Sequence, residues 1–452
     1  MEPTRVPLTA LDEAFLHLSA VRWSVQYEVR VQGRLDVGRL RSAFAAACAT
    51  HPIGRASLAD PAGWSDRRLF WEIADEPVPV PIDEFDGTDP DVLAAARAEL
   101  YDQPPTLTEA PPVRAAIAHD DAGDLLMLVL HHAAFDGISA VRFTESVARA
   151  YAGAPDPTAG PPFAEARDLR RLAGSQTVGQ QLRRAGGVAD EVLARRQPIV
   201  RIHPAGGAPG PLRFGVTTLL LDERETAELV AAKPPGTTVN DLLLAALLLT
   251  VRRWNAEHGD AAIDRGGERV TAMMAVNLRA PEWSNDVCAN FASYLPIPLP
   301  PGVPDDLAVA TLAVAERTRR HKERRNAGWL VDLLRPTNLL PVPLKERLLA
   351  LIPQLADIAL ESTALSNLGR LAPLDFGDAG QATEVWFSPP AHAPLHVAVG
   401  AATLDGRLFL TLRYLSEVFD ADGAASFAKG LRDCVVEASV VGPSRVGPSR
   451  AE

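Results

Sequence analysis

Residues His131, His132, Ala133, Ala134, Phe135, Asp136 and Gly137 place two imidazoles and a carboxylate within seven positions. Histidine is the side chain whose unperturbed pKa lets it take up and return a proton near neutral pH, so a positioned histidine is a natural general base. The block follows an apolar run, Leu125 to Leu130, that reads as a buried strand, and it precedes Ser139-Ala140-Val141-Arg142-Phe143, where a helical pattern begins. Gly137 permits a tight turn or a positive φ directly after the loop. Pinned between strand and helix, such a loop can hold a ring in one orientation for acid–base chemistry.

The elements that must position this loop belong to a chain of 452 residues, long enough for about two to three domains. With 47% apolar and 23% charged residues the composition is that of a soluble globular protein. Cys48, Cys288 and Cys434 are odd in number and far apart, which argues against a disulfide framework or a zinc cluster and fits a reducing cytoplasm. No secretory signal opens the chain, and no uninterrupted apolar run reaches the eighteen or so residues of a transmembrane segment. A net charge of −12 makes nucleic acid an unfavourable partner, because phosphate binding is largely electrostatic.

Val25, Tyr27, Val29 and Val31 alternate with polar residues and predict a half-buried strand. Asp36 then reads as an N-cap, with Val37, Leu40, Phe44, Ala47 and Cys48 on one helix face. Between about Ala152 and Leu212 the periodicity weakens and Pro and Gly accumulate, notably at Gly206 to Pro211, as in an interdomain crossover. Strand signals resume at Gly215 to Leu221, Val270 to Val276, Glu384 to Phe387, Leu395 to Ala401 and Leu408 to Tyr414. A long apolar helix runs from Thr238 to about Trp254, and a last helix lies near Asp422 to Ser439. Strands interspersed with helices in both halves predict an α/β protein of two lobes: 1–165, a crossover at 166–212, and 213–440, with 441–452 a disordered tail.

His131 to Gly137 match HHxxxDG, and the chain resembles the superfamily of CoA- and carrier-protein-dependent acyltransferases. That superfamily includes chloramphenicol acetyltransferase, plant BAHD transferases, nonribosomal-peptide condensation domains and polyketide-associated acyltransferases. The resemblance implies two chloramphenicol-acetyltransferase-like α/β lobes with an active-site tunnel at their interface. It implies His132 as general base, with His131, Asp136 and Gly137 supporting it. Leu8 to Phe15 resembles the opening of polyketide-associated and wax-ester-synthase-like members, and Thr238 to Ala246 resembles the helix behind the tunnel. Arg279, in Val276-Asn277-Leu278-Arg279, stands where condensation-type enzymes carry an arginine that pairs with the motif's aspartate. A buried Asp136 needs such a partner, since an unpaired buried charge is costly. Leu374 to Gly380 resembles a structural DFGWG motif but lacks its Trp, and Ser366 or Asn367 is a candidate oxyanion donor.

The remaining charged residues offer less. His392 and His396 lie four apart, but Pro394 between them and the lack of an acidic neighbour argue against a helical metal pair. Arg317, Arg319, Arg320, Lys322, Arg324 and Arg325 concentrate six basic residues in nine positions. Such a run is commonly a solvated face, yet it, or Arg170-Arg171 with Arg183-Arg184, is a candidate patch for an acidic carrier protein or the phosphates of CoA.

The expected reaction moves an acyl group from a CoA or phosphopantetheinyl carrier-protein thioester to an alcohol or amine acceptor, in polyketide, lipid or natural-product biosynthesis. It requires no metal, no permanently bound cofactor and no covalent enzyme intermediate. The absence of a GxSxG elbow excludes an α/β-hydrolase reading. Alternatives are a free-standing nonribosomal-peptide-type condensation enzyme, a wax-ester or diacylglycerol synthase-like enzyme, and a noncatalytic carrier-binding protein.

Overall fold

A computed structural model describes residues 4–440 apart from 18–23, 61–62, 64, 159, 183, 185–198, 209–212, 260–268, 284, 350–360 and 393–394. The expected tail at 441–452, Arg183, Pro394 and the last part of the Gly206 to Pro211 run lie outside the described residues. In chain order the strands are β1 (Thr4–Pro7), β2 (Ser24–Val31), β3 (Ala56–Leu58), β4 (Phe70–Ile73), β5 (Ile82–Asp86), β6 (Val113–His119) and β7 (Leu125–His131). In the second half they are β8 (Phe214–Leu221), β9 (Thr271–Asn277), β10 (Ala292–Pro298), β11 (Thr363–Arg370), β12 (Ala382–Ser388), β13 (Val397–Leu404) and β14 (Arg407–Leu415). Four helices of the first half bear on the site: α1 (Ala10–His17), α2 (Val37–Thr50), α3 (Pro90–Asp102) and α4 (Gly137–Ala152).

Two sheets organise the molecule. One has the order β12-β2-β7-β6-β5 and the other β10-β9-β11-β13-β14-β8, with a small sheet β1-β4-β3 beside the first. On the first sheet, α2 presents Leu40, Ala43, Phe44, Ala47 and Cys48 inward, and Asp36 caps it by accepting the N–H of Arg39 at 2.6 Å. On the second lies helix Val239–His258, opened by a capping box between Thr238 and Asp241. Leu242 to Val251 of this helix are buried on every side, as suits a helix enclosed by the sheet and by neighbouring helices.

Two features depart from expectation. β2 is buried on both faces rather than half-buried, with Gln26 and Glu28 only 2% and 3% exposed. Glu28 is satisfied there by Arg97 of α3, through bonds of 2.8 and 2.7 Å, and by the hydroxyl of Tyr101. That face is covered by α3; the second departure is β12, which comes from the far end of the chain yet pairs antiparallel with β2 and makes it an interior strand of the sheet. Trp386 of β12 packs edge-to-face on Phe409 of β14 at 5.0 Å, so this strand also carries the core of one sheet into the other.

Candidate active site

β7 delivers His131 as its last residue, and the chain turns through His132 to Phe135 before Asp136 caps α4. The turn is closed by the N–H groups of Ala134 and Phe135, which donate to the carbonyl of His131 at 3.0 and 2.9 Å. Ala133 N–H donates to His131 Nδ1 at 3.1 Å. That bond assigns Nδ1 as acceptor, so the neutral ring carries its proton on Nε2. Burial, and the neighbouring His132, push the His131 pKa down to about 3.

His132 is 9% exposed, and its ring lies flat against Phe15 of α1, with centroids 4.2 Å apart and planes 7° from parallel. Burial lowers its pKa below the ordinary 6.5, against the raising influence of a backbone hydrogen bond and of the charge on Asp136. His132 is therefore a neutral imidazole at pH 7, the state a general base needs.

The expected partnership of Asp136 and Arg279 is present. The guanidinium binds the carboxylate through two bonds, Nη1 to Oδ2 at 2.8 Å and Nη2 to Oδ1 at 3.0 Å. Asp136 also accepts the N–H groups of Ser139 and Phe291, both at 2.8 Å. Burial favours the protonated acid, but Arg279 and these donors outweigh it and hold the carboxyl below 3.8. Arg279 further donates to Ser139 Oγ and to the carbonyls of Val287 and Ala289. Ser139 Oγ in turn donates to Ala289 O at 2.6 Å and accepts its N–H at 2.8 Å. The start of α4, built on the first sheet, is thus bonded throughout to the loop between β9 and β10 of the second.

Gly137 does not have a positive φ. Its role is close approach: a Cβ there would stand 2.7 Å from Phe387 Cζ of β12 and 2.8 Å from Leu368 Cδ2 of β11. Ser366 and Asn367, the oxyanion candidates, lie on β11 just before Leu368, ahead of a bulge. Asn367 Oδ1 accepts the N–H of Gly369 at 2.8 Å, which leaves the side-chain amide as its donor.

α1 is braced by buried ion pairs. Thr9 and Asp12 exchange backbone–side-chain bonds at its start, and Asp12 also meets Arg167 and the indole N–H of Trp71. Glu13 is paired with the fully buried Lys345 at 2.7 Å, which ties α1 to helix Val342–Leu349. Phe15 and this bracing were missed from sequence, because a helix start gives no sign of which face meets the ring. Arg413, equally missed, is fully buried on β14 and donates at 3.0 and 3.1 Å to O and Oγ of Ser24, the residue that pairs with His131. A lone Arg within the apolar run Leu408 to Tyr414 was the available signal.

Other candidates fall elsewhere. Phe376 of the DFG-like stretch packs on Tyr151 at the far end of α4, a structural place. His396 does find an acid, contrary to expectation: Glu417 lies 3.0 Å away, brought by the turn after β14. Among the described residues no group of three or more His, Cys, Asp or Glu is placed to hold a metal ion. Of the basic run at the end of helix Leu307–Glu323, Arg319 and Arg320 are engaged by Glu316, Lys322 is exposed on the last turn, and Arg324 and Arg325 are exposed just beyond it. Cys48 and Cys288 are buried with raised thiol pKa values, unsuited to nucleophilic chemistry.

A family model described as a condensation domain matches residues 14–268. The chain is 40% identical over 433 residues to an uncharacterized protein of Mycobacterium tuberculosis, covering 95% of this chain and 98% of that one. Among solved structures, the first condensation domain of the calcium-dependent antibiotic synthetase, in complex with a substrate analogue, matches with a TM-score of 0.72 at 15% identity over 98% of each chain. A mutant of the starter condensation domain of rhizomide synthetase, in complex with C8-CoA and Leu-SNAC, matches with a TM-score of 0.69 at 16% identity over 96% and 95%. These likenesses show the fold, a two-lobed α/β architecture.

Proposed function

The chain belongs to the condensation-domain family, and from that premise we propose that it moves an acyl group from a CoA or carrier-protein thioester to an alcohol or amine acceptor. The observation that carries this reading is His132, a neutral, oriented imidazole on a loop whose Asp136 is clamped by Arg279 across the two lobes. The C8-CoA bound by the rhizomide synthetase domain supports a thioester donor.

In this reading the reactants meet in a tunnel between lobes formed by 1–165 and 213–440. His132 takes the proton of the acceptor's O–H or N–H as that atom attacks the thioester carbonyl carbon. The negative charge gathers on the carbonyl oxygen, where the amide of Asn367 or the hydroxyl of Ser366 donates. When the C–S bond breaks, the imidazolium returns the proton to the departing thiolate, and His132 is neutral again. A positioned base contributes typically ~10² to 10⁴-fold, and holding both reactants together can supply more. Asp136, Gly137, Arg279 and His131 position the loop rather than touch the reactants. No helix among the described residues is long and apolar enough to cross a membrane, and the reading places the enzyme in the cytoplasm, in polyketide, lipid or natural-product biosynthesis.

The test is intact-mass spectrometry of acyl-carrier protein and of acyl-CoA, each incubated with wild type or His132→Ala and a panel of alcohols and amines. Loss of acyl from one donor with a matching product mass for wild type alone is expected. Equal product formation by the variant would overturn the assignment.

A further inference from the structure

Beside β1 and the start of α1 the surface opens into a cleft of about 840 Å³. That volume is within the roughly 300–1,000 Å³ of small-molecule sites. Its charged side chains fall into two sets. Arg167 is engaged by Asp12, Asp332 by Ser175 and Arg184, and Asp168 by the backbone N–H of Arg171. Arg68, Arg170 and Arg335 are exposed, and the structure records no ion pair for them among the described residues. They come from three separate segments of a chain whose net charge is −12, yet they border one concavity. A basic face such as that of helix Leu307–Glu323 runs along a single element; here three segments each place an arginine on one cleft.

The walls between them are apolar. Leu8, Leu169 and Val331 line the cleft from the buried side, and Leu339 stands on its rim at 70% exposure. Leu333 and Leu182, neighbours of the lining residues Asp332 and Gln181, are 56% and 68% exposed. Exposed leucines gathered around unpaired arginines describe a ligand with an anionic end and an apolar body.

We infer that this cleft binds a phosphate-bearing amphiphile, with its phosphate groups on Arg68, Arg170 and Arg335 and its apolar portion against Leu8, Leu169, Val331 and Leu339. Guanidinium suits phosphate because its planar fork donates two parallel bonds to two oxygens. Helix α1 runs from the cleft to the reactive loop: Ala10 lines the cleft, and Phe15, five residues along, stacks on His132. Five residues of helix rise by about 7.5 Å. Two reactants carry the required chemistry, a CoA thioester donor and a phospholipid-like acceptor. Which of them occupies the cleft rests on the acyl-transfer reading, whereas the binding itself does not.

The test is isothermal titration of the full chain with CoA, with a short-chain lysophosphatidate below its micelle concentration, with inorganic phosphate and with uncharged pantetheine. Wild type is compared with Arg170→Gln alone and with Arg68→Ala/Arg170→Ala/Arg335→Ala. CoA or the lysophosphatidate is expected to bind wild type at least tenfold more tightly than the triple variant, with Arg170→Gln intermediate and pantetheine weak throughout. Whichever probe binds identifies the source, and His132→Ala is expected to bind it as wild type does. That last arm separates the two readings, since binding by an inactive protein upholds the cleft even if acyl transfer fails. Failure of both phosphate-bearing amphiphiles to bind wild type, or equal affinity in a folded triple variant, would overturn the inference.

Discussion

His132 is made useful by what surrounds it. Phe15 covers one face of the ring and burial lowers its affinity for protons, so the base form persists below the pH at which an exposed histidine would charge. Acyl transfer should accordingly stay flat from pH 8 down through 7 and fall only below the ordinary 6.5, as the ring protonates. A profile of kcat/KM against pH, with folding followed by circular dichroism, checks this, and a half-loss of activity above 6.5 would contradict it. The two histidines, Asp136 and its tie to Arg279 were legible in sequence because their types, spacing and resemblance carry them. Phe15 and Arg413 were not, since their value comes from neighbours that only the docking of α1 and β14 supplies.

Among elements, the start of α4 is one of the places where the two sheets are joined, and there the joint is electrostatic. The side chains of Arg279 and Asp136 are 1% and 4% exposed, so removing one leaves the other charged and dry. Arg279→Ala should cost about 3–5 kcal/mol of stability and lower turnover with it. Urea denaturation at pH 7 measures the first, and a loss below about 1 kcal/mol would show the pair to be dispensable. Half of the strands among the described residues, β2, β7, β8, β9, β12, β13 and β14, followed from their apolar patterning, while β1, β3, β4, β5, β6, β10 and β11 were not predicted. The membership of β12 in the first sheet did not follow, because period-two patterning tells which face of a strand is buried but not which strand it pairs with. Nor does it tell which element covers a polar face: Glu28 of β2 is buried under Arg97 and Tyr101 of α3.

Across the whole molecule, histidines kept neutral by burial contribute a loss of stability in acid. The folded protein holds His131 at about 3 and His51 at about 4, while the unfolded chain protonates both near 6.5. Unfolding therefore takes up protons below 6.5, and stability is lost as pH falls from there towards 4 for His51 and 3 for His131. Asp136, held below 3.8, adds its own loss only in stronger acid. Urea midpoints between pH 7 and 4.5 should fall steadily, and His51→Gln should flatten the slope; a midpoint constant over that range would contradict the assignment. The two-lobed plan was legible from strand and helix order together with the HHxxxDG resemblance. Of the cleft beside α1 only Arg170 was legible, as part of a basic candidate patch; Arg68 and Arg335 are far from it in sequence and line the same cleft only after folding.

The central claim is that His132 moves the proton of acyl transfer, and single-turnover product formation by His132→Gln, set beside wild type with matched unfolding midpoints, tests it most directly. A fall of roughly 10²-fold or more in the variant is the predicted result. Turnover within a few-fold of wild type in a folded His132→Gln protein would contradict it.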